Sequence, residues 1–285
     1  MSVFYGLPYC GSKQRFVKRI ADALPVPKGR FVELFAGGAA LSDLIGERHR
    51  CPILLNDVLP IPRNFVAFKA MGKFCQAPEF CSRERFLGLR DQNDASSWMS
   101  RVLFSYGTLG TTYFAGEKFD EDFARDAYTY ATTGYSGHRF GLDDDPSGGS
   151  CRDAVERRYR RLASRVVLGS ARSPITRWLR CAALAERECG PIEVSALDFA
   201  EVELKPDDLV YADPPYPQSD PRSYAGNVFE IERLWAHCRT ASVPIFVSAR
   251  EAPDDFVSVI DFPAAKFKAA GQPTLESVFV HKNWR

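Results

Sequence analysis

Residues 30–57 read RFVELFAGGAALSDLIGERHRCPILLND, and no other stretch limits the fold as tightly. An apolar run at 30–38 ends in the pair Gly37–Gly38. Helical spacing follows through Leu41, Leu44 and Ile45 in 39–48. A second apolar run, 51–57, ends in Asn56–Asp57. Strand, glycine turn, helix, strand and acid form the opening of a doubly wound α/β fold.

The same rhythm returns late in the chain. Residues 207–215 read as a strand stopped by prolines, 231–241 as a helix and 244–250 as a strand. Residues 256–262 and 274–282 look like a closing antiparallel pair. The stretch between is different: aromatic-rich at 98–119, loop-like at 141–150, helical and basic at 152–187. Val155, Tyr159, Leu162 and Val166 give the basic part an apolar stripe. The expected organisation is a Rossmann-like core, 1–59 and 191–285, with an inserted, mainly helical domain at 60–190.

A length of 285 residues suits such a domain and its insertion. A net charge of +1 gives no whole-chain attraction to nucleic acid, so any basic surface must be local. One local surplus exists: 152–187 holds ten arginines against Asp153, Glu156 and Glu186, a formal +7. Phosphate contact is the preferred reading there, through Arg157, Arg158, Arg160 and Arg161, with a solvated face as the alternative. Of the aromatics, Phe104, Tyr106 and Tyr113 are expected in the core, with contact to DNA bases as the alternative. The eight cysteines form no CxxC pair, so reduced thiols are expected and a metal site is not. The chain has no apolar run of membrane-spanning length and no signal-like start, so a cytoplasmic protein is expected.

Two places carry chemistry. Gly37 and Gly38 end the first strand, where glycine lets a ligand approach the backbone. Asp57, 20 residues after Gly37, ends the second strand and is placed to accept bonds from ribose hydroxyls. The pyrophosphate fingerprint GxGxxG is missing, so the ligand is a nucleoside without pyrophosphate, and S-adenosylmethionine fits. A strand end whose acid merely closes a turn fits these two features as well. The second place is YADPPY, 211–216. Pro214 and Pro215 fix two φ angles and remove two donors while keeping their carbonyls. Asp213 plus a neighbouring carbonyl makes a pair of acceptors, which matches the two N–H groups of an exocyclic amine. Tyr216 offers a flat face for stacking. A proline-stiffened surface turn is the alternative, but the position after an apolar strand favours a site for an aromatic amine.

Several stretches together resemble the Dam-like, D12 class (α group) of DNA N6-adenine methyltransferases. PYCGSK (8–13), FVELFAGGAALS (31–42), LLNDV (54–58), LDFAEV (197–202) and YADPPY occur in that family's order. SYAGNVF (223–229) and PIFVSAR (244–250) fit too. Ala39 stands where the family often has glycine, and Leu34 where proline is common. The resemblance implies a Rossmann-like S-adenosylmethionine-dependent core with a helical target-recognition domain. It implies that Tyr9 and Lys13 contact the cofactor's methionine end, and that Glu33, Phe35 and Gly37 line its pocket. Asp57 would hold the ribose, Asp198 would accept from the cofactor's adenine amine, and Phe199 would lie beside that ring. Asp213, Pro214, Pro215 and Tyr216 would receive the target adenine, with Asp213 also bordering the cofactor.

These features imply methyl transfer from S-adenosylmethionine to N6 of adenine, flipped out of double-stranded DNA, without a metal. The rivals are an RNA adenine-N6 methyltransferase and an inactive DNA-binding protein of the same fold. The recognition sequence and any cognate restriction endonuclease stay open.

Overall fold

The computed structural model describes residues 4–7, 13–59, 61–71, 77–89, 92, 95–105, 112–116, 120–135, 139–145, 152–215, 229–263 and 275–284. The chain divides into two compact units, Lys13–Pro62 with Glu188–Arg285, and Met1–Ser12 with Arg63–Arg187. In chain order the first of these opens with α1 (Val17–Ala23), β1 (Phe31–Leu34), α2 (Ala40–His49) and β2 (Ile53–Asn56). Helix α3 (Ile61–Met71) leads into the helical unit, which continues with α4 (Arg83–Gly88), α5 (Ala95–Leu103), α6 (Glu121–Thr133), α7 (Arg152–Ala163) and α8 (Arg172–Glu186). The sheet unit resumes with β3 (Ile192–Ser195), β4 (Leu209–Ala212), α9 (Ile231–Thr240), β5 (Ile245–Ala249), β6 (Phe256–Pro263) and β7 (Leu275–His281).

Among the described residues seven strands form one sheet, ordered β3-β2-β1-β4-β5-β7-β6. Strands β1 to β5 pair in parallel, and β7 runs antiparallel to β5 and β6. Every residue of β1, β2, β4 and β5 is buried, as parallel strands covered on both faces require. Edge strand β6 instead alternates and carries a register shift at Ser258–Ile260, which blunts an open edge. Val32, Leu34, Val210, Ala212, Ile245 and Val247 pack with Leu234, Trp235 and Cys238 of α9 into one core. The strand order reverses between β1 and β4, and in open α/β sheets ligands bind beyond the carboxyl ends of the strands at such a reversal. Leu34 lies opposite Asn56 on one side and Ala212 on the other, so the three strand ends are level.

The helical unit is built around aromatics and buried arginines. Phe104 and Tyr113, weighed above as base contacts, are 0% and 5% exposed. Phe104 meets Phe80, Phe114 and Tyr128 at 5.1–6.0 Å between ring centres. The Tyr113 hydroxyl donates to the Cys81 carbonyl at 3.0 Å. Tyr106 lies outside the described residues. Residues 4–7, expected with the core, group with this unit. The reason is visible at Phe4 and Tyr5: Arg180 stacks on the Phe4 ring at 4.6 Å and Arg187 on the Tyr5 ring at 4.8 Å.

Of the four arginines named as candidates for phosphate contact, two or three of which can face one way, Arg158 drops out, because its side chain is 0% exposed. A helix advances 100° per residue, so position 158 falls between buried Ala154 and Leu162 on the inward face. Its guanidinium donates to the carbonyls of Thr132 (3.3 Å) and Asp145 (3.0 Å). It thereby serves orphan acceptors where α6 ends at the left-handed Gly134 (φ 87°). A Cβ at Gly134 would come within 2.2 Å of the Asp145 carbonyl and 3.0 Å of the guanidinium. Arg177 does the same for α5, donating to the carbonyls of Val102, Leu103 and Ser105. Burial lowers the Arg177 pKa to about 10.

Candidate active site at the strand ends

The turn after β1 is built from strained backbone. Phe35 (φ 61°), Gly37 (φ 46°) and Ala39 (φ 55°) are all left-handed. Glycine suits such angles, and an alanine carries a steric cost there. The fold holds the turn from outside: the Gly37 N–H donates to Asp57 Oδ2 at 2.8 Å, and the Ala36 N–H to the Asn56 carbonyl at 3.0 Å. Asp57 Oδ1 accepts the Leu59 N–H at 2.8 Å, closing its own turn. Burial raises the Asp57 pKa, and these two backbone bonds oppose the rise. Each carboxylate oxygen keeps a further lone pair for a ligand hydroxyl.

Glu33 lies within β1 and is buried. Its Oε2 accepts from the Ser42 N–H (3.2 Å) and hydroxyl (2.5 Å), tying the strand to the first turn of α2. Burial pushes its pKa up to about 8 against those two bonds. Glu33 therefore faces helix α2, a structural neighbour, through the only side-chain bonds it makes among the described residues.

Asn56, which sequence reasoning passed over, fixes the far wall. Its amide donates to the Leu197 carbonyl (3.0 Å), while its oxygen accepts from the Leu197 N–H (3.0 Å) and the Ser195 hydroxyl (2.6 Å). The loop carrying Asp198 and Phe199 is thus pinned beside Asp57. Phe199 packs against Phe35 at 5.5 Å and Phe229 at 5.9 Å, giving flat apolar faces. Asp198 caps the following short turn through the Ala200 N–H and takes a two-pronged ion pair from Arg233 at 2.7 Å. Arg233 also stacks on the Phe199 ring at 4.9 Å. That pairing holds the Asp198 pKa below the usual range.

Asp213 follows β4 by one residue, and its N–H donates to the Leu34 carbonyl at 3.3 Å. This places it across from the glycine turn, at the reversal of strand order. Pro214 is buried and Pro215 half-buried. The Lys13 ammonium donates to both Asp213 oxygens, at 2.7 and 2.9 Å, and pairs with Glu276 Oε1 at 3.0 Å. Burial would lower the Lys13 pKa, but Asp213, Tyr211 and Glu276 together raise it above the ordinary lysine value. Burial raises Asp213 and Lys13 opposes it.

Glu33, Phe35, Gly37, Asp57, Asp198, Phe199, Lys13 and Asp213 all fall in the sheet unit. Tyr9 and Tyr216 lie outside the described residues. A nucleoside bearing a methionine chain fits the set: an acid at the end of β2, ring faces at Phe35 and Phe199, and a second acid at Asp198. Among the described residues no group of three or more metal-ligating side chains comes together. In the helical unit Arg157, Arg160 and Arg161 are exposed on α7. Arg157 pairs with Asp145 at 3.6 Å and Arg160 with Glu156.

Two structures of the rRNA methyltransferase aviRa from Streptomyces viridochromogenes, at 2.4 and 1.5 Å, resemble the chain. Each is 15% identical, with a TM-score of 0.36, and the alignment covers 93% of this chain and 81% of that one. No curated protein matches. Residues 9–105 match the family model of the D12 class N6 adenine-specific DNA methyltransferases. The matched part takes in Lys13, the glycine turn and Asp57, and ends before Asp213. That match covers about a third of the chain and likens this part of it to the D12-class N6 adenine-specific DNA methyltransferases.

Proposed function

We propose that the chain methylates N6 of an adenine flipped out of duplex DNA, with Asp213 and the Pro214 carbonyl accepting from the two N–H groups of the target amine. The observation that carries this is the position of Asp213: one residue beyond β4, bonded to the end of β1, opposite the glycine turn. An adenine amine is a poor nucleophile because its lone pair is delocalised into the ring. Two acceptors on its N–H groups favour a tetrahedral nitrogen with that lone pair free. S-adenosylmethionine supplies a methyl group on a positively charged sulfur. As the N–C bond formed and the methyl–sulfur bond broke, sulfur would keep that electron pair and positive charge would pass to N6, where Asp213 is placed to stabilise it and take the surplus proton. Extruding the base costs a few kcal/mol, and stacking on Tyr216 would recover about 1–3 kcal/mol.

Within this reading Asp57 holds the ribose, Phe35 and Phe199 flank the cofactor's adenine, and Lys13 and Tyr9 border its methionine end. Residues 60–190 supply the DNA-recognition domain. Arg157, Arg160 and Arg161 are its phosphate contacts, since they span an arc of only about 100° on the outward face of α7. No helix of the described residues is long and apolar enough to cross a membrane. A cytoplasmic enzyme working on DNA is consistent with that.

The test is incubation with S-adenosylmethionine and either duplex DNA or RNA of the same sequence, followed by nucleoside analysis. N6-methyladenine in the DNA is the expected result. Methylation confined to RNA would transfer the site to the rival substrate.

A further inference from the structure

Four side chains, two buried and two half-buried, form a chain of contacts behind the strand ends. The Ser248 hydroxyl on β5 donates to Glu276 Oε1 on β7 at 3.1 Å. The same oxygen meets the Lys13 ammonium at 3.0 Å, and Lys13 holds both oxygens of Asp213. Lys13 and Glu276 are only 10% and 8% exposed, so water screens their charges weakly.

The charge balance gives Glu276 work to do. Lys13 and Asp213 alone make a neutral pair, which would cancel most of the field that Asp213 directs at an amine. Adding Glu276 leaves the three groups with one net negative charge. The methyl-transfer step places positive charge on the target nitrogen, so a net negative cluster stabilises the transition state more than the ground state. Glu276 also gives Lys13 a second acceptor, which holds the ammonium back from the target face of Asp213. Ser248 aims the carboxylate.

We propose that Glu276, oriented by Ser248, is a positioning residue for methyl transfer: it keeps the Lys13–Asp213 pair net negative and correctly placed against the target amine. It touches neither the base nor the methyl group. Glu276 acts this way only if Asp213 faces the target amine, as proposed above.

The experiment compares the full-length parent with Glu276→Gln and Glu276→Asp in single-turnover methylation of duplex DNA. The glutamine keeps the shape and an oxygen acceptor but loses the charge. We expect its rate to fall about 10- to 100-fold, with affinities for S-adenosylmethionine and DNA within twofold of the parent. Glu276→Asp, which keeps the charge, should recover most of the lost rate. A glutamine variant within twofold of the parent rate would overturn the assignment. So would equal losses in both variants, since that reports packing and not charge. Should Glu276→Gln fail to fold, Ser248→Ala is read instead: a fall of threefold or more supports the role, and no change overturns it. A parent that leaves adenine unmethylated would instead sink the reading of Asp213 itself, so the two failures are distinct.

Discussion

The sheet unit and the helical unit use charge in opposite ways. At the strand ends, Asp57 and Asp213 stand where regular pairing stops, tethered by their neighbours and half-buried. Across residues 152–187, ten arginines make an obvious basic surplus, yet much of it is spent inside the unit. Arg158 and Arg177 are buried on helix-terminal carbonyls, Arg152 pairs with Glu186, and Arg180 and Arg187 stack on Phe4 and Tyr5. A strand end fixes where a charge must be; a charge count says only that charges exist.

That contrast can be broken first at Arg158. Arg158→Ala takes this donor from the Thr132 and Asp145 carbonyls and removes the buried cation that faces the Asp145 carboxylate. Unfolding in urea should show a loss of about 3–5 kcal/mol, whereas Arg157→Ala should change stability by no more than about 0.5 kcal/mol. Equal effects would mean that burial of Arg158 contributes nothing.

Glu33 provides the matching case in the sheet. Its folded pKa is raised from 4.5 to about 8, so the folded state binds a proton more tightly than the unfolded chain does. Stability from this group is therefore complete below about pH 4.5 and is lost as pH rises toward 8. Glu33→Gln removes that dependence. The variant should gain on the parent by on the order of 2–4 kcal/mol between pH 5 and pH 8, read from melts at both. Parallel pH profiles for the two proteins would show that Glu33 is ionised in the fold.

Asp57 sharpens the comparison from the ligand side. Asp57→Ala should cost about 1.5–3 kcal/mol of S-adenosylmethionine affinity, measured by calorimetry, the scale of bonds to a charged group. Unchanged affinity would reduce Asp57 to a clamp on the glycine turn.

The smallest effect concerns the arginines left outside. Replacing Arg157, Arg160 and Arg161 together should lower the slope of log affinity against log salt by about 0.9 for each phosphate that is no longer neutralised. Cofactor affinity should not move. Equal slopes for variant and parent would make α7 a solvated face.

How much was legible in the sequence follows the same divide. Strands β1, β2, β4 and β5 could be read because fully buried parallel strands are short, apolar and punctuated by Gly37, Asp57 or Pro214. Arg158 could not be read from charge. Its helical phase was a signal: it lies between buried Ala154 and Leu162, whereas Tyr159, assigned to the stripe, is at its half-buried margin. Glu276 also had a signal, falling in step with buried Val278 and Val280 on β7. Its partner Lys13 is over 260 residues away, and only the sheet brings them together. The grouping of Phe4 and Tyr5 with the helices depends on two arginines far along the chain, which no local pattern announces.

The most direct test of the account is Asp213→Ala, assayed for methyl transfer to duplex DNA and, separately, for S-adenosylmethionine binding. The account predicts a fall in single-turnover rate on the order of 10³-fold or more, with cofactor affinity within a few-fold of the parent. A variant that still forms N6-methyladenine at near-parent rate would contradict the claim that this strand end is where the amine is received.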